Sequence, residues 1–419
     1  MSKIDELLAQ LCPNGVEFKT LGELGTFLGG LSGKSKEDFK DGNAKFITYM
    51  NVFSNISLNL DVTDTVKIGE GEKQNTIQYG DVLFTGSSET PNECGMSSVL
   101  TVRTDEMLYL NSFCFIYRFN VPELFLPSFS KYLFRSDYLR KQIIKTASGV
   151  TRFNVSKAKM AKVKIPVPPL EVQSEIVKVL DNFTELTAEL TAELTARKKQ
   201  YEYYRDLLLD FGVHGGGTSE CEWRTISGLG SWTGGCTPSM NNSKYWDNGT
   251  IPWISSKDMK FATLSDTEDH ITNLAIKETS IKLLPKNITA IVARSGILKH
   301  TLPVVYIPFE TTVNQDIKAL IPSEDVLPRY AYFVLAGFSK RILKSTKKQG
   351  GTVDSLDMNA FMRYPVPVPT IEKQERIISI LERFDKLCND ISEGLPAEIE
   401  ARRKQYEYYR DKLLSFKEQ

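Results

Sequence analysis

Residues 196–211 read ARKKQYEYYRDLLLDF and residues 401–416 read ARRKQYEYYRDKLLSF, identical at 13 of 16 positions. Two near-copies 205 residues apart in a chain of 419 mark a tandem duplication. The period is far too long for a solenoid, so each copy is a whole domain with a helix attached.

Working outward from the two copies, apolar residues precede each at steps of three, four or seven, the spacing of one helix face. In the first half they are Ile176, Leu180, Phe183, Leu186, Leu190, Leu194 and Tyr201. In the second they are Ile377, Leu381, Phe384, Leu387, Ile391, Leu395, Ile399 and Tyr406. Phe183 matches Phe384 at an offset of 201 while Ala196 matches Ala401 at 205, so the first helix is four residues shorter. It carries a tandem tetrapeptide, TAELTAEL (187–194), where the second half reads DKLCNDISEGLPAEIE. Gly394 and Pro396 are expected to kink or break that second helix. The residues expected to pack helix on helix, or onto a partner, are Leu186, Leu190, Leu194, Tyr201, Tyr204, Ile391, Leu395, Tyr406 and Tyr409.

Further out, each helix is preceded by a Pro-rich strap, IPVPPLEVQSEI (165–176) and VPVPTIEKQERI (366–377), in which proline excludes helix until the strap ends. Each half opens alike: VEFKTLGELGTFLGG (16–30) and CEWRTISGLGSWTGG (221–235) share six of fifteen residues. Between openings and straps the halves pair as short strands and turns with some helix: FITYMNV with WISSKDM, GDVLFTGSS with ITAIVARSG, LNSFCFIYRF with VNQDIKALI, SGVTRFNVS with GGTVDSLDM. Identity there is low, as in one scaffold carrying two differently specified surfaces. The boundaries follow: a domain at 1–165 that includes a short N-terminal helix, a helical spacer at 166–211, a Gly-rich linker at 212–220, a second domain at 221–366 and a distal spacer at 367–419. The fold class is α+β, two similar α/β domains alternating with two long helices. The helices are expected to pack as an antiparallel, coiled-coil-like spacer with pseudo-twofold symmetry. Such a caliper suits two separated sites on a long regular ligand, for which duplex DNA is the candidate; docking of two identical protein partners is the other reading.

Bulk properties narrow the class. With 41% hydrophobic residues the chain can bury substantial cores. No apolar run approaches 18 residues, and the start lacks a signal-peptide pattern. The six cysteines show no metal or disulfide spacing, so a cytoplasmic chain without a membrane partner is expected. Formal charge is zero, 52 basic against 52 acidic residues, which argues against nonspecific coating of nucleic acid but not against a locally basic groove. From Lys131 to Lys164 ten Lys or Arg stand against one acid, Asp137, and Phe338–Gln349 in the second half is likewise basic.

The duplicated helix ends, the paired openings and the straps with Gln173-Ser174-Glu175-Ile176 and Gln374-Glu375-Arg376-Ile377 together resemble the specificity subunits of Type I restriction-modification enzymes over essentially the whole length. The TAEL repeat resembles the spacer of their IC class. The resemblance implies two target-recognition domains, each reading half of a split, asymmetric DNA site. It also implies two methyltransferase subunits docked on the frame and two restriction-translocase subunits in the nuclease form. S-adenosylmethionine, ATP and Mg belong to those partners, with no cofactor and no catalytic role on this chain. The residues agree. No methyltransferase tetrapeptide or Gly-rich cofactor loop is present. Gly33-Lys34-Ser35 lacks the earlier glycine of a phosphate loop, and His214, His270 and His300 are too dispersed for a metal site or triad. A non-reading assembly adaptor and a methylation-only specificity subunit stay open.

Base edges are read by side chains with paired donors and acceptors, and phosphates by hydroxyls, amides and cations. The DNA-contact candidates in the recurring loops are Lys34, Ser35, Tyr49, Asn51, Ser87, Ser88, Thr151, Arg152 and Asn154 in the first domain. In the second they are Ser255, Lys257, Arg294, Ser295, Asn314, Gln315, Thr352 and Asp354. One tetrapeptide adds ~6 Å of helix, between one and two base-pair steps of duplex. Deleting Thr191–Leu194 is therefore expected to shorten the unread gap between half-sites and to leave both half-site sequences unchanged, as methylome sequencing of the variant will show.

Overall fold

The two repeated openings become the same three pieces: a strand, one turn of helix and a second strand. These are Glu17–Thr20, Leu21–Leu24 and Gly25–Gly29 in the first half, and Cys221–Thr225, Ile226–Leu229 and Gly230–Gly234 in the second. Thr20 stops the first strand by capping the turn. Its hydroxyl accepts from the Glu23 N–H while the Glu23 carboxylate accepts from the Thr20 N–H, a capping box.

The structure, a computed structural model, describes residues 3–212, 221–348, 353–389 and 394–419. These gather into two compact units, Met1–Glu189 with Ile399–Gln419, and Leu190–Glu398. Each unit thus combines one repeated domain, the start of the helix that follows it and the end of the helix from the other half.

Within each unit the strands repeat one plan. A four-stranded antiparallel sheet has the order Gly25–Gly29, Cys114–Phe119, Val82–Thr85, Ser97–Val99 in the first unit. Its counterpart is Gly230–Gly234, Ile317–Pro322, Ile288–Val292, Val304–Ile307 in the second. Beside it lies a three-stranded mixed sheet, Thr65–Val66, Ala44–Ile47, Leu108–Leu110 or Asp269–Ile271, Ile251–Ile254, Thr312–Val313, whose last pair is parallel. The Gly-Gly pairs that end both openings have a steric reason. A Cβ on Gly30 would collide with the Asn111 carbonyl, and one on Gly235 with the Val313 carbonyl. Only glycine lets the chain pass there.

The Pro-rich straps are strands, Lys164–Val167 and Pro365–Pro369, each antiparallel to the first strand of its own domain. Pro365, Pro367 and Pro369 occupy alternate positions, which puts every missing N–H on one edge of a two-stranded ribbon. The chain then turns into helix, Leu170–Leu208 and Ile371–Asn389. At both turns a glutamine is fully buried. The Gln173 carbonyl accepts from Leu126 N at 2.9 Å, and its amide donates to Leu124 O at 2.9 Å and Pro168 O at 2.8 Å. The Gln374 carbonyl accepts from Leu327 N at 2.8 Å, and its amide donates to Asp325 O and Pro369 O, both at 2.9 Å.

The first long helix runs unbroken for 39 residues through both TAEL units, ~58 Å at 1.5 Å per residue. The second is described as Ile371–Asn389 and Leu395–Leu413. Pro396 sits in the first turn of the resumed helix, where its absent N–H removes no bond; Ile391 lies outside the described residues. In the first unit Phe183 stacks on Tyr409 with ring centres 5.4 Å apart, and in the second Phe384 stacks on Tyr204 at 5.6 Å. Phe183 corresponds to Phe384 and Tyr204 to Tyr409, so the same aromatic contact is made twice. Ile176, Leu180, Ile377 and Leu381 are buried below it, Leu395 is buried, and Leu186, Leu190, Leu194, Tyr201 and Tyr406 are half-buried.

Several candidate DNA contacts prove to be engaged in holding the domain together. Lys34 has a buried side chain, paired with Glu72 at 2.6 Å and donating to Lys67 O. Ser35 closes a turn with Asp38, and buried Asn51 brackets the chain at Asn59 through both ends of its amide. The basic run is partly inward too. Arg135 donates to the carbonyls of Ser97, Val52, Phe53 and Asn55, and Arg140 to those of Gly95, Asn92 and Cys94. Burial pulls both guanidinium groups down to about 10, still protonated at neutral pH.

Two predictions follow from these bonds. Gln173→Leu or Gln374→Leu leaves one N–H and two carbonyls without partners, and unsatisfied buried groups cost about 1–3 kcal/mol each. Each variant is expected to lose at least about 2 kcal/mol, read as a lower urea midpoint at unchanged m. The second concerns Glu72, whose carboxyl is held down at about 2 by the Lys34 ammonium, then the Gly69 N–H and the Gln74 amide. An unfolded glutamate titrates at about 4.3. Because the folded value is the lower one, this contribution is complete above the unfolded value and is lost as pH falls toward the folded one. Glu72→Gln is expected to flatten the acid limb of the stability profile between about pH 4 and pH 2, measured by denaturant unfolding across that range.

Candidate nucleic-acid interface

In both units one backbone frame brings three loops together. In the first, Asn111 N donates to Ile47 O at 2.9 Å and the Asn111 side chain accepts from Phe113 N at 2.9 Å. Phe113 O accepts from Gly86 N at 2.7 Å, and Gly86 O accepts from Val155 N at 2.9 Å. In the second unit Asn314 N donates to Ile254 O at 2.9 Å and its side chain accepts from Asp316 N at 3.0 Å. Asp316 O accepts from Ala293 N at 2.7 Å, and Ala293 O from Leu356 N at 2.9 Å. The next step matches as well: Ser87 pairs with Asn154, and Arg294 bridges to Ser355. The frames coincide bond for bond, yet the side chains do not. Ser87 stands where the second unit has Arg294, and Phe113 where it has Asp316.

The first frame opens into a hollow of 590 Å³ lined by Tyr49, Met50, Phe53, Ser87, Ser88, Glu89, Glu93, Phe113, Thr151 and Arg152. Five of the nine sequence candidates of this domain meet there: Tyr49, Ser87, Ser88, Thr151 and Arg152. Asn154 lies on the strand paired with Ser87. Tyr49 Oη donates to Ser87 O at 2.9 Å, and burial raises its pKa, so it acts as a neutral donor. Arg152 donates through Nε and Nη2 to Ser87 Oγ at 3.2 and 3.0 Å, with its guanidinium 5.2 Å from the centre of the Phe113 ring. Phe113 is 55% exposed and Met50 59%. Two large apolar side chains and a stacked arginine around an open polar hollow fit flat aromatic ligands with hydrogen-bonding edges.

The second frame is polar instead. Arg294 Nε donates to Asp316 Oδ1 at 2.7 Å, Ser295 N donates to Asp354 O at 3.0 Å, and Lys347 pairs with Asp354 at 3.3 Å. Gln315 accepts from Thr237 at 2.6 Å. Asn314 and Ser255 are buried parts of the frame, Ser255 closing a turn with Asp258, and Lys257 pairs with Asp269 at 3.3 Å on an exposed edge. Thr352, the counterpart of Thr151, lies outside the described residues. Phe113, Met50, Phe53 and Asp316 were not among the sequence candidates. The available signal was the repeated asparagine, Asn111 and Asn314, after which the halves diverge from Ser-Phe to Gln-Asp.

Among the described residues no group of His, Cys, Asp and Glu could hold a metal ion, and no helix is long and apolar enough to cross a membrane.

Comparison with known proteins gives these two units a family. The chain is 50% identical over 267 residues to the Escherichia coli Type I restriction enzyme EcoR124I/EcoR124II specificity subunit, covering 62% of this chain and 65% of that relative's length. It is 30% identical over 228 residues, 51% of this chain and 53% of the relative, to the E. coli EcoprrI specificity subunit. Among solved structures it superposes at a TM-score of 0.67 and 16% identity on a chain from a study of complex assembly and conformational transition of the type I R-M system, covering 96% of this chain and 98% of that one. The Mycoplasma genitalium S subunit gives 0.52 at 14% identity, covering 96% and 97%. Both confirm the α+β fold. Residues 13–197 and 218–401 each match the Type I restriction modification DNA specificity domain, and the chain belongs to that family, with the domain present twice.

Proposed function

We propose that this chain is the non-catalytic, DNA-reading subunit of a type I restriction-modification complex, in which each domain reads one half of a split site. The observation that carries it is the pair of matching frames with unlike side chains. A binding surface whose backbone is kept and whose side chains differ is what two half-sites of different sequence require, because base edges are discriminated by side-chain donors and acceptors. The long helix through both TAEL units is the element that sets the gap between half-sites.

The helix ends are the docking frame for two copies of one partner, the methyltransferase subunit, with restriction-translocase subunits joining in the nuclease form. Tyr203 and Tyr408 support this: they are equivalent, 64% and 61% exposed, and each lies edge-on to the tyrosine that follows it. Identical exposed aromatics on two copies of one helix fit two identical partners. Adenine methylation with S-adenosylmethionine, and ATP- and Mg-dependent cleavage, belong to those subunits, and the complex acts in the cytoplasm.

Methylome sequencing of a host that expresses this chain with its cognate methyltransferase subunit tests the proposal. The expected result is a split motif of two short half-sites around a fixed gap. Methylation without any such motif, from a complex that assembles, would leave the chain an assembly adaptor.

A further inference from the structure

We infer that Arg294 reads a guanine in the half-site of the second domain, and that Asp316 is the positioning residue that holds it to that task. The inference rests on the DNA-reading function proposed above and adds to it one residue, one base and one geometry.

Arg294 follows the buried strand Ile288–Val292, and its backbone is fixed by the bridge to Ser355. Its side chain is 58% exposed, yet one edge is tied down through Nε to Asp316 at 2.7 Å. The carboxylate is itself anchored. Asp316 N is held by the buried Asn314 side chain, Asp316 O by Ala293 N, and Asn314 N by Ile254 O. The side chain is therefore preorganised by a chain of bonds running back into the sheet. Nη1 and Nη2 make no other hydrogen bond among the described residues, which leaves a planar pair of donors with a set direction.

Two coplanar donors match two acceptors on one base edge, and in the major groove only guanine offers them, at O6 and N7. A phosphate would also accept from an arginine, but the local charge argues against one. Arg294 is balanced by Asp316 and Lys347 by Asp354. A neutral cluster gains little from a polyanion, whereas a directional pair of hydrogen bonds to a base survives the balance. The first unit has Ser87 and Phe113 at the two frame positions, and its Arg152 has Nε and Nη2 already occupied by Ser87. This pairing is thus particular to the second domain.

The test uses the complex of the full chain with its methyltransferase subunit. A wild-type methylome without a split motif overturns the DNA-reading proposal itself. Given a split motif, Arg294→Ala is expected to make one guanine position of one half-site degenerate. Preference for that base should fall about ten- to a hundredfold, with the other half-site and the gap unchanged. Asp316→Asn should keep the same base preference in weaker form. Duplexes carrying 7-deazaguanine, which lacks the N7 acceptor, require no variant. At one position of that half-site the wild-type complex should lose preference, and the Arg294→Ala complex should be indifferent. The inference is overturned if neither half-site contains a G·C pair, or if the wild-type complex is indifferent to 7-deazaguanine at every position. It is equally overturned if Arg294→Ala leaves the motif unchanged or weakens methylation at all sequences alike.

Discussion

A buried primary amide organises each half of this molecule. Gln173 and Gln374 sit where strap turns into helix, and each joins three pieces: the loop ahead of the helix Pro127–Leu133 or Pro328–Thr346, the end of the strap and the first turn of the long helix. Glutamine suits the post because its side chain offers an acceptor and two donors in one plane, and all are used. A fully buried polar group is tolerated only when its bonds are complete. That condition fixes where the helix begins relative to the domain. The stagger of the aromatic contacts farther along, Phe183 on Tyr409 and Phe384 on Tyr204, follows from that starting point.

With the entry of each helix fixed, the domains could diverge everywhere except along the frame. The frame itself is almost all backbone: carbonyls and amides of Ile47, Gly86, Phe113 and Val155 in one unit, of Ile254, Ala293, Asp316 and Leu356 in the other. Backbone bonds do not depend on side-chain identity, so the two frames share geometry and differ in chemistry. The one side chain both frames need is the asparagine that accepts from the N–H two residues on, and it is the one retained, Asn111 and Asn314.

This explains what the sequence made legible. The duplication, the helix faces, the straps and the strand-rich interiors could be read because periodicity and identity record them directly. Where the hollow sits could be read only in part. Tyr49, Ser87, Ser88, Thr151 and Arg152 belong to recurring polar loops and do converge. Lys34 belongs to such a loop as well, yet its ammonium is consumed by Glu72. Arg135 and Arg140 counted toward a basic surface, but both turn inward, where their guanidinium groups donate to seven backbone carbonyls. Composition registers a charge without registering which way it points. Phe113 escaped for the opposite reason: an aromatic residue in an apolar run reads as core, and only the turn at Asn111 swings it out.

The near-identity of the two helix ends now has a physical account. Residues 190–208 complete the second unit, and residues 399–419 complete the first. Each end therefore packs within the unit of the other half, where it meets an equivalent ring: Phe384 for Tyr204 of the first copy, Phe183 for Tyr409 of the second. A residue that changes in one copy meets a site whose counterpart still fits the old side chain. The buried face can thus vary only in step with the frame of the opposite domain. That constraint covers Tyr201, Tyr204, Tyr406 and Tyr409, but not Tyr203 and Tyr408, which face solvent. Packing within the units leaves those two tyrosines free to differ, and they do not; the equal surface they present is the feature on which the proposed docking of two identical partners rests.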